Sequence, residues 1–352
     1  MKEALVSKGT QVQIVDSSIP AINDDQVLIK VIVSGSNPKD WKLPDLLGGS
    51  TNQGDDIAGI VEKVGANVFE FKPGDRVAAF HEMRTPHGSY AEYAVAWQHT
   101  TFHIPKSISF EAIPLAAMTA AVGLYLRLGL PQPWSPPASA SEPIRGPTPL
   151  LIYGAASAVG IYTVQLAQRS NIHPLICVAG RACDYVEGFI DRSKGDVVVD
   201  YRQGDEALVA GIVEALDGQP ALAHVLDAVS EASSITNIAE VLRRVGAKDD
   251  LSGAVKGRAT FVLGGEKEGL PDGVEKSITM VGSVHNEAKD FGYVYYRYFA
   301  KGLLEGWFKP QKTEVVPGGL GGIQTALQNL KDGKASAVKY VFRIGETDGV
   351  ER

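Results

Sequence analysis

The sequence predicts an α/β protein of two domains, in which a β-rich domain precedes a doubly wound parallel sheet. The chain has 352 residues, which is more than one hydrophobic core commonly serves. Residues 27–96 contain short β-branched runs separated by Pro and Gly turns, a pattern typical of strands. From residue 150 to about 300, apolar runs alternate with helical patterns, which favours βαβ units and a parallel sheet.

The β-rich part is predicted from alternating or β-branched runs and from the FKPGD turn between two of them. A long helix follows over 107–130, with Ser107 or Ser109 as its N-cap. Residues 131–149 are dense in Pro and Ser and predict a surface loop; the alternative is a loop that faces a partner or substrate. The predicted strands of this part are 27–35, 57–65, 75–80 and 88–96.

The later part is predicted from continuous apolar runs, which fit strands that are buried on both faces. Residues 285–299 show no readable pattern, but a helix is expected after residue 300. A final strand at 338–344 could return to the sheet of the first domain. The predicted strands are 150–154, 174–179, 197–201, 223–229, 259–265 and 277–283, and the predicted helices are 159–170, 184–193, 205–216, 235–245 and 321–334.

The bulk properties exclude several classes of protein. The net charge of −7 argues against nucleic acid or an anionic membrane as the main partner. The two cysteines, Cys177 and Cys183, suggest neither a disulfide framework nor a zinc knuckle. The start lacks the apolar core of a signal peptide, and no apolar run approaches about 18 residues. We therefore expect a cytoplasmic protein.

Residues 150–169, LLIYGAASAVGIYTVQLAQR, have the order of strand, small-residue turn and helix that opens a dinucleotide-binding βα unit. Such a turn brings the backbone close to a pyrophosphate at the N-terminus of a helix. Ser157 replaces the usual middle glycine, and its hydroxyl adds a donor. The alternative is a packing contact between helix and strand. The predicted cofactor-binding residues here are Gly154, Ala155, Ala156, Ser157, Val159 and Gly160.

The second strand of this unit ends in Gly180 and Arg181, with no acidic residue at its end. NAD sites place an Asp or Glu on the ribose 2′-hydroxyl, whereas NADP sites place basic residues on the 2′-phosphate. A guanidinium suits a phosphate dianion. Arg181 therefore favours NADPH, and the alternative is a solvated loop arginine.

Several segments carry a family resemblance: SNPKDWK (36–42), GDDIAG (54–59), FKPGDRV, GSYAEY and the Pro/Ser-rich insertion before residue 150. The chain resembles the zinc-independent, quinone oxidoreductase-like members of the medium-chain dehydrogenase/reductase superfamily, and most closely the fungal trans-acting enoyl reductases. The resemblance implies a GroES-like catalytic domain over 1–124, completed by 302–352, and a Rossmann NADP-binding domain over 125–301.

The resemblance also implies that no metal is bound. Zinc-dependent relatives use Cys, His and Glu or Cys as ligands, whereas here Ser36 and Asn37 fall near the first ligand position, and Asp55 and Asp56 near the second. The lobe with four closely spaced cysteines is absent. His81 and His87 belong to HEMRTPH, which we interpret as a loop over the active site.

Further site residues are implied by the resemblance alone. Lys42 corresponds to an active-site lysine, Asn37 lies beside the nicotinamide, and Thr119 lies near nicotinamide or substrate. His285 is either a proton donor or a plain loop histidine. The alternatives are a surface lysine for Lys42, a helix-packing threonine for Thr119 and a strand-end tyrosine for Tyr201. The remaining predicted contacts are Tyr201 near the 2′-phosphate, Val262 and Leu263 along the ribose–nicotinamide edge, and Ala337, Val338 and Lys339 over the cofactor.

The resulting hypothesis is hydride transfer from NADPH to the β-carbon of an α,β-unsaturated carbonyl or enoyl thioester. Donors would stabilise the charge on the carbonyl oxygen, and the α-carbon would take a proton, with solvent as one candidate source. The substrate is a small molecule or carrier-bound, with a polyketide synthase as the expected partner. The alternatives are a quinone reductase, a zinc-free carbonyl reductase and a non-catalytic NADPH-binding protein. Both monomer and homodimer remain open.

Overall fold

The computed structural model describes residues 1–110, 114–135, 146–248, 255–265 and 267–350. The chain divides into two compact units. Unit 1 comprises residues 1–118 and 281–352, and unit 2 comprises residues 119–280. Of the Pro/Ser-rich segment, residues 136–145 lie outside the described residues.

Strands and helices follow one another in an order close to the predicted one. The strands are β1 (Lys2–Ser7), β2 (Gln11–Asp16), β3 (Gln26–Gly35), β4 (Ser50–Thr51), β5 (Asp56–Val64), β6 (Arg76–Phe80), β7 (Tyr93–Trp97), β8 (Thr101–His103), β9 (Leu150–Tyr153), β10 (Leu175–Ala179), β11 (Val197–Asp200), β12 (His224–Asp227), β13 (Ala247–Lys248), β14 (Val255–Phe261), β15 (Val274–Ile278), β16 (Thr313–Val315) and β17 (Lys339–Arg343). The helices are α1 (Lys39–Leu47), α2 (Pro114–Ala121), α3 (Ala158–Arg169), α4 (Cys183–Glu187), α5 (Asp205–Ala215), α6 (Ala232–Val245), α7 (Lys289–Glu305) and α8 (Ile323–Lys331).

Unit 1 is built on a seven-stranded sheet with the order β16-β17-β3-β5-β6-β8, in which β7 also pairs with β3. A second sheet has the order β2-β1-β4. The last strand, β17, lies antiparallel to β3 with Val341 opposite Gly35, which confirms that the C-terminal strand returns to the first sheet. Ile29, Val61 and Phe342 are completely or almost completely buried in its core.

The first two thirds of helix α7 were not predicted, because aromatic residues on several faces conceal its period. Its Tyr295, Tyr296 and Phe299 are buried, while Arg297 forms an ion pair with Glu70. Asp290 in the first turn and a left-handed glycine after the last residue are the end signals that the sequence offered. Because α7 packs on β8 and its neighbours, residues 281–301 join unit 1, and both unit boundaries precede those expected at 124 and 301.

Unit 2 contains the predicted doubly wound sheet. Six strands run parallel among its described residues in the order β11-β10-β9-β12-β14-β15. In chain order these are the third, second, first, fourth, fifth and sixth parallel strands, which is the dinucleotide-binding order. Leu151, Ile176 and Val225 are fully buried at its centre. The expected α/β fold is therefore confirmed.

Two predicted helices differ in extent from the observed ones. The helix expected over 107–130 is α2 followed by a π-helical turn at Val122–Arg127, while residues 111–113 lie outside the described residues. The helix expected over 184–193 ends at Glu187, and Asp191 caps a separate short turn by accepting from the Ser193 N–H group. No helix in the described ranges is long and apolar enough to cross a membrane.

Candidate functional site

The turn between β9 and α3 has the backbone geometry of a dinucleotide site. Gly154 has φ of +81°, which favours glycine, and its N–H and that of Ala155 donate to the Val178 carbonyl oxygen. Ser157 is the N-cap of α3, and its Oγ accepts from the Gly160 N–H at 3.0 Å. The oxygen is thus a cap acceptor, which leaves the hydroxyl hydrogen as the donor that the sequence suggested.

Gly160 permits a close approach of helix and strand. A Cβ at this position would lie 2.2 Å from the Gly154 carbonyl oxygen, so no larger residue fits without a shift of the backbone. Ala155 is fully buried below the turn, whereas Ala156 and Val159 are half-buried. Within the described part of the chain, the N–H groups of Ala158 and Val159 at the start of α3 have no acceptor. Such groups bind phosphate oxygens at helix N-termini.

The end of β10 lies beside the end of β11, because Ala179 pairs with Asp200. A Cβ on Gly180 would lie 2.5 Å from the Tyr201 ring, so glycine allows this tyrosine to pack on the strand end. Tyr201 is 49% exposed and Arg181 is exposed. Asp200 accepts several hydrogen bonds from the Arg202 guanidinium, with Nη2 at 2.6 Å from Oδ2. The carboxylate of Asp200 at the end of β11 is therefore ion-paired.

The segment after β14 is also part of unit 2. The Val262 N–H donates to Ser230 Oγ at 3.0 Å and to the Asp227 carbonyl oxygen at 3.2 Å. Val262 and Leu263 are half-buried. Thr119 is 6% exposed in α2.

In unit 1, the structure brings together two predicted residues that are far apart in sequence. Lys339 Nζ donates to Asn37 Oδ1 at 2.8 Å and lies 2.7 Å from Asp56 Oδ2. Asn37 Nδ2 donates to the same oxygen of Asp56 at 2.7 Å. The other oxygen of Asp56 accepts the Leu115 N–H at 2.9 Å. This triad, Asn37, Asp56 and Lys339, is buried and its side-chain orientations are fixed.

A second buried cluster surrounds Lys39. Its ammonium lies 2.7 Å from Asp40 Oδ1 and 2.5 Å from Asp55 Oδ2, and it donates to the Gln53 carbonyl oxygen at 2.8 Å. Tyr90 donates its hydroxyl to Asp40 at 2.6 Å, and His81 Nδ1 lies 2.9 Å from Asp55. We call Lys39, Asp40, Asp55, His81 and Tyr90 the Lys39 cluster.

The charges of the Lys39 cluster are mutually dependent. Burial alone would lower the pKa of Lys39, but Asp40 and Asp55 outweigh it and raise that pKa. Burial would raise the pKa of Asp55, but Lys39 and His81 hold it below its usual value. Burial raises the pKa of Asp40. Burial and the neighbouring Asp40 carboxyl both raise the pKa of Tyr90, so its phenol keeps its hydrogen and stays a donor. The cluster is a cation held between carboxylates.

Lys42 lies outside both clusters. Its ammonium is 5.5 Å from the centre of the Trp41 ring, the side chain is half-buried, and no carboxylate among the described residues pairs with it. Ala337 adopts a positive φ of 50°, and Val338 beside it is half-buried.

His285 is buried in a short 3₁₀ turn, Val281–His285. Its Nε2 lies 3.3 Å from the Phe80 carbonyl oxygen, whereas Nδ1 has no partner among the described residues. Burial lowers the pKa of His285 to about 4, so the ring is neutral at pH 7.

No group of three or more His, Cys, Asp and Glu side chains in the described ranges is arranged to hold a metal ion. Asp55, which falls near the second expected ligand position, pairs with both Lys39 and His81.

The sequence reasoning missed the roles of Lys39, Asp40, Tyr90 and Arg202. A usable signal was the pair Asp55–Asp56 directly before the apolar start of β5, because buried acids require partners. The cations that pair with them could not be identified, since Lys39 and Lys339 come from opposite ends of the chain.

Comparisons with known proteins identify the family. Residues 23–106 match the alcohol dehydrogenase GroES-like domain family. The trans-enoyl reductase fsr4 of Gibberella fujikuroi is 48% identical over 324 residues, which cover 90% of this chain and 91% of that protein. The trans-enoyl reductase resD of Aspergillus sclerotiorum is 31% identical over 97% of this chain and 100% of that protein.

A solved structure extends the likeness in fold. The quinone oxidoreductase from Coxiella burnetii superimposes with a TM-score of 0.71 at 20% identity, covering 97% of this chain and 99% of that one. A sheet of this strand order binds a dinucleotide at the turn after its first strand. The expected family is therefore confirmed: this chain is an oxidoreductase that belongs to the trans-enoyl reductases of the medium-chain dehydrogenase/reductase superfamily.

Proposed function

We propose that the protein is an NADPH-dependent, zinc-independent enoyl reductase that acts in trans on carrier-bound polyketide intermediates. The reaction adds hydride to the β-carbon and a proton to the α-carbon of an α,β-unsaturated thioester. The observation that carries this proposal is the 48% identity to a trans-enoyl reductase over 90% of the chain. The side-chain chemistry of both units supports it.

The residues of unit 2 fit a dinucleotide. When bound, the nicotinamide supplies a hydride. The N–H groups of Ala158 and Val159 would hold the pyrophosphate, because they have no acceptor among the described residues. Val262 and Leu263 would lie along the ribose and nicotinamide.

The preference for NADPH rests on the ends of β10 and β11. Arg181 is exposed there beside Tyr201, and Asp200 is occupied by Arg202. A 2′-phosphate would therefore meet donors rather than an unpaired carboxylate. This chemistry favours NADPH over NADH.

The negative charge that develops on the substrate carbonyl oxygen needs a donor. Lys39 is already shared between two carboxylates, so its charge is neutralised. Lys42 has no carboxylate partner in the described ranges, and we assign this role to it, with Thr119 as a second donor. The triad would orient the reacting groups, with Asn37 on the nicotinamide and Ala337 to Lys339 beside it.

The α-carbon proton is assigned to solvent. With a pKa of about 4, the His285 ring is neutral at pH 7. Its unpaired Nδ1 is an acceptor, because Nε2 faces a carbonyl oxygen and must carry the hydrogen. A neutral ring in this state is a poor proton donor.

Zinc independence is supported by the partners of Asp55. A metal ion bound there would have to displace the Lys39 ammonium, which lies 2.5 Å from the carboxylate. That displacement would bury an unpaired lysine, which is costly.

The test is a substrate panel with purified protein, in which oxidation of NADPH and NADH is followed with enoyl thioesters, quinones and ketones. We expect turnover of enoyl thioesters with NADPH, unchanged after treatment with a zinc chelator. Faster turnover of quinones or ketones, or NADPH binding without any turnover, would overturn the proposal.

A further inference from the structure

Unit 1 contains a cavity that neither buried cluster uses. Its volume is about 390 Å³, within the range of roughly 300–1,000 Å³ typical of small-molecule sites. It is bounded by β1, the second half of α1, residues 50–53 and the loop 84–86. We call it the α1 cavity.

One wall of the α1 cavity is apolar. Leu5 of β1 and Leu43, Pro44 and Leu47 of α1 line it. Leu47 is 59% exposed, so this wall presents apolar surface to solvent.

A second part of the lining offers groups for hydrogen bonds, and we call it the hydrogen-bonding wall. Ser50, Thr51 and Gln53 line it, and Gln53 Nε2 donates to Thr51 Oγ1 at 2.6 Å. The Gln53 carbonyl oxygen accepts from Lys39, so this wall adjoins the Lys39 cluster. The acid of the wall, Glu3, is occupied, because its two oxygens accept from Asn52 at 3.1 Å and Ser17 at 2.6 Å.

Arg84 lies at the edge of the cavity. It is exposed, it has a φ of +67°, and no carboxylate among the described residues pairs with it. The turn is fixed by Thr85, whose N–H and hydroxyl both donate to the Glu82 carbonyl oxygen, at 3.2 and 2.7 Å. A guanidinium without a partner beside a cavity suits a phosphate.

We propose that the α1 cavity binds the 4′-phosphopantetheine arm of an acyl thioester, with Arg84 on its phosphate. The arm consists of a phosphate, a geminal dimethyl group and two amides, which match in turn a guanidinium, the apolar wall and the hydrogen-bonding wall. Coenzyme A and carrier proteins share this arm. The inference rests on the proposed enoyl reduction for the acyl group, but binding of the arm is measurable without turnover.

The first experiment is calorimetric titration of the full chain with 4′-phosphopantetheine and with pantetheine, which lacks the phosphate. We expect the phosphorylated compound to bind at least about tenfold more tightly, as a charge-assisted contact provides. Arg84→Gly, which suits the positive φ, should abolish this preference, and Arg84→Lys should retain part of it. Lys72→Ala, which removes an exposed cation of the same unit, is the control and should retain all of it.

Equal binding of the two compounds, a preference that survives Arg84→Gly, or no binding of either would overturn the proposal. The second experiment compares kcat/KM for one enoyl group on pantetheine, phosphopantetheine, coenzyme A and a carrier protein. Arg84→Gly should lower the value about tenfold for the phosphorylated forms alone. A loss confined to coenzyme A would assign Arg84 to its nucleotide instead and would contradict the proposal. If no thioester is reduced while the calorimetric preference holds, the proposed function fails and the arm site stands.

Discussion

Lys39 carries its charge between Asp40 and Asp55, whose carboxylates are buried in unit 1. Breaking a buried ion pair by removing one partner leaves an uncompensated charge. We predict that Lys39→Met lowers the free energy of unfolding by about 3–5 kcal/mol, measured by chemical denaturation.

Lys42→Met is the matched control, since Lys42 lies one turn later in α1 without a carboxylate partner in the described part of the chain. It should change the unfolding free energy by less than about 0.5 kcal/mol while lowering kcat. Equal stability losses in both variants would contradict the distinction between the two lysines.

Arg181 decides the choice of cofactor in this account. Arg181→Ala should weaken NADPH binding about tenfold to a hundredfold and leave NADH binding unchanged, because a charge-assisted contact to the 2′-phosphate is lost. Titration of the protein's fluorescence with each cofactor measures both affinities. Arg192→Ala, another exposed arginine of unit 2, should affect neither. An unchanged NADPH affinity in Arg181→Ala would show that the arginine is a solvated loop residue.

At this scale the sequence identified single residues better than their contacts. Asn37 and Lys339 were both predicted, but their hydrogen bond joins positions 302 residues apart. The pairing depends on β17 lying next to β3, and no local pattern encodes it. The Lys39 cluster was missed for the same reason, because its acids and its histidine meet only after β5 and β6 pair.

Among the elements, the β9–α3 turn was predictable because its geometry is local. Helix α3 approaches the turn most closely at Gly160, where an added Cβ would lie 2.2 Å from the Gly154 carbonyl oxygen. Gly160→Ala should therefore lower the unfolding free energy by about 1–3 kcal/mol and weaken dinucleotide binding. Thermal melting with and without NADPH measures both effects. Gly188→Ala, where an added Cβ has only an ordinary contact at 3.4 Å, should do neither.

The 3₁₀ turn that holds His285 should make stability depend on pH. Burial lowers the pKa of this histidine from 6.5 to about 4, so below pH 6.5 the unfolded chain binds a proton that the folded chain does not. The neutral histidine therefore contributes its full stabilisation to the free energy of unfolding above pH 6.5. This contribution declines by about 3 kcal/mol as the pH falls to 4.

Urea unfolding at pH 7.5, 6 and 5 tests this for the wild type and His285→Gln. The variant should lose less stability than the wild type between these values, whereas His103→Gln, at an exposed site, should behave like the wild type. Parallel curves for the wild type and His285→Gln would refute a buried neutral ring.

Helix α7 shows the limit of prediction for an element. Tyr293, Tyr295, Tyr296 and Phe299 spread apolar surface around its circumference, which removes the period that marks a one-sided helix. Its position is set by tertiary contacts such as Arg297 with Glu70 and with the carbonyl oxygens of Gln98 and His99.

In the whole molecule, the sheet of unit 2 followed from alternation of strands and helices, and the strand order then agrees with the dinucleotide-binding arrangement. The sequence could not predict that unit 1 resumes at residue 281, since this depends on where α7 packs. The family follows from identity along nearly the whole chain, whereas the cofactor and substrate rest on a few side chains such as Arg181, Lys42 and Arg84.

The central claim is hydride transfer to the β-carbon of an enoyl thioester, and the position of a deuterium label tests it most directly. The enzyme would be incubated with an enoyl thioester and NADPH deuterated at the transferring position of nicotinamide C4, and the product analysed by NMR. We predict one deuterium at the β-carbon and a solvent-derived hydrogen at the α-carbon. Deuterium at the carbonyl carbon, or a product without deuterium, would contradict the account.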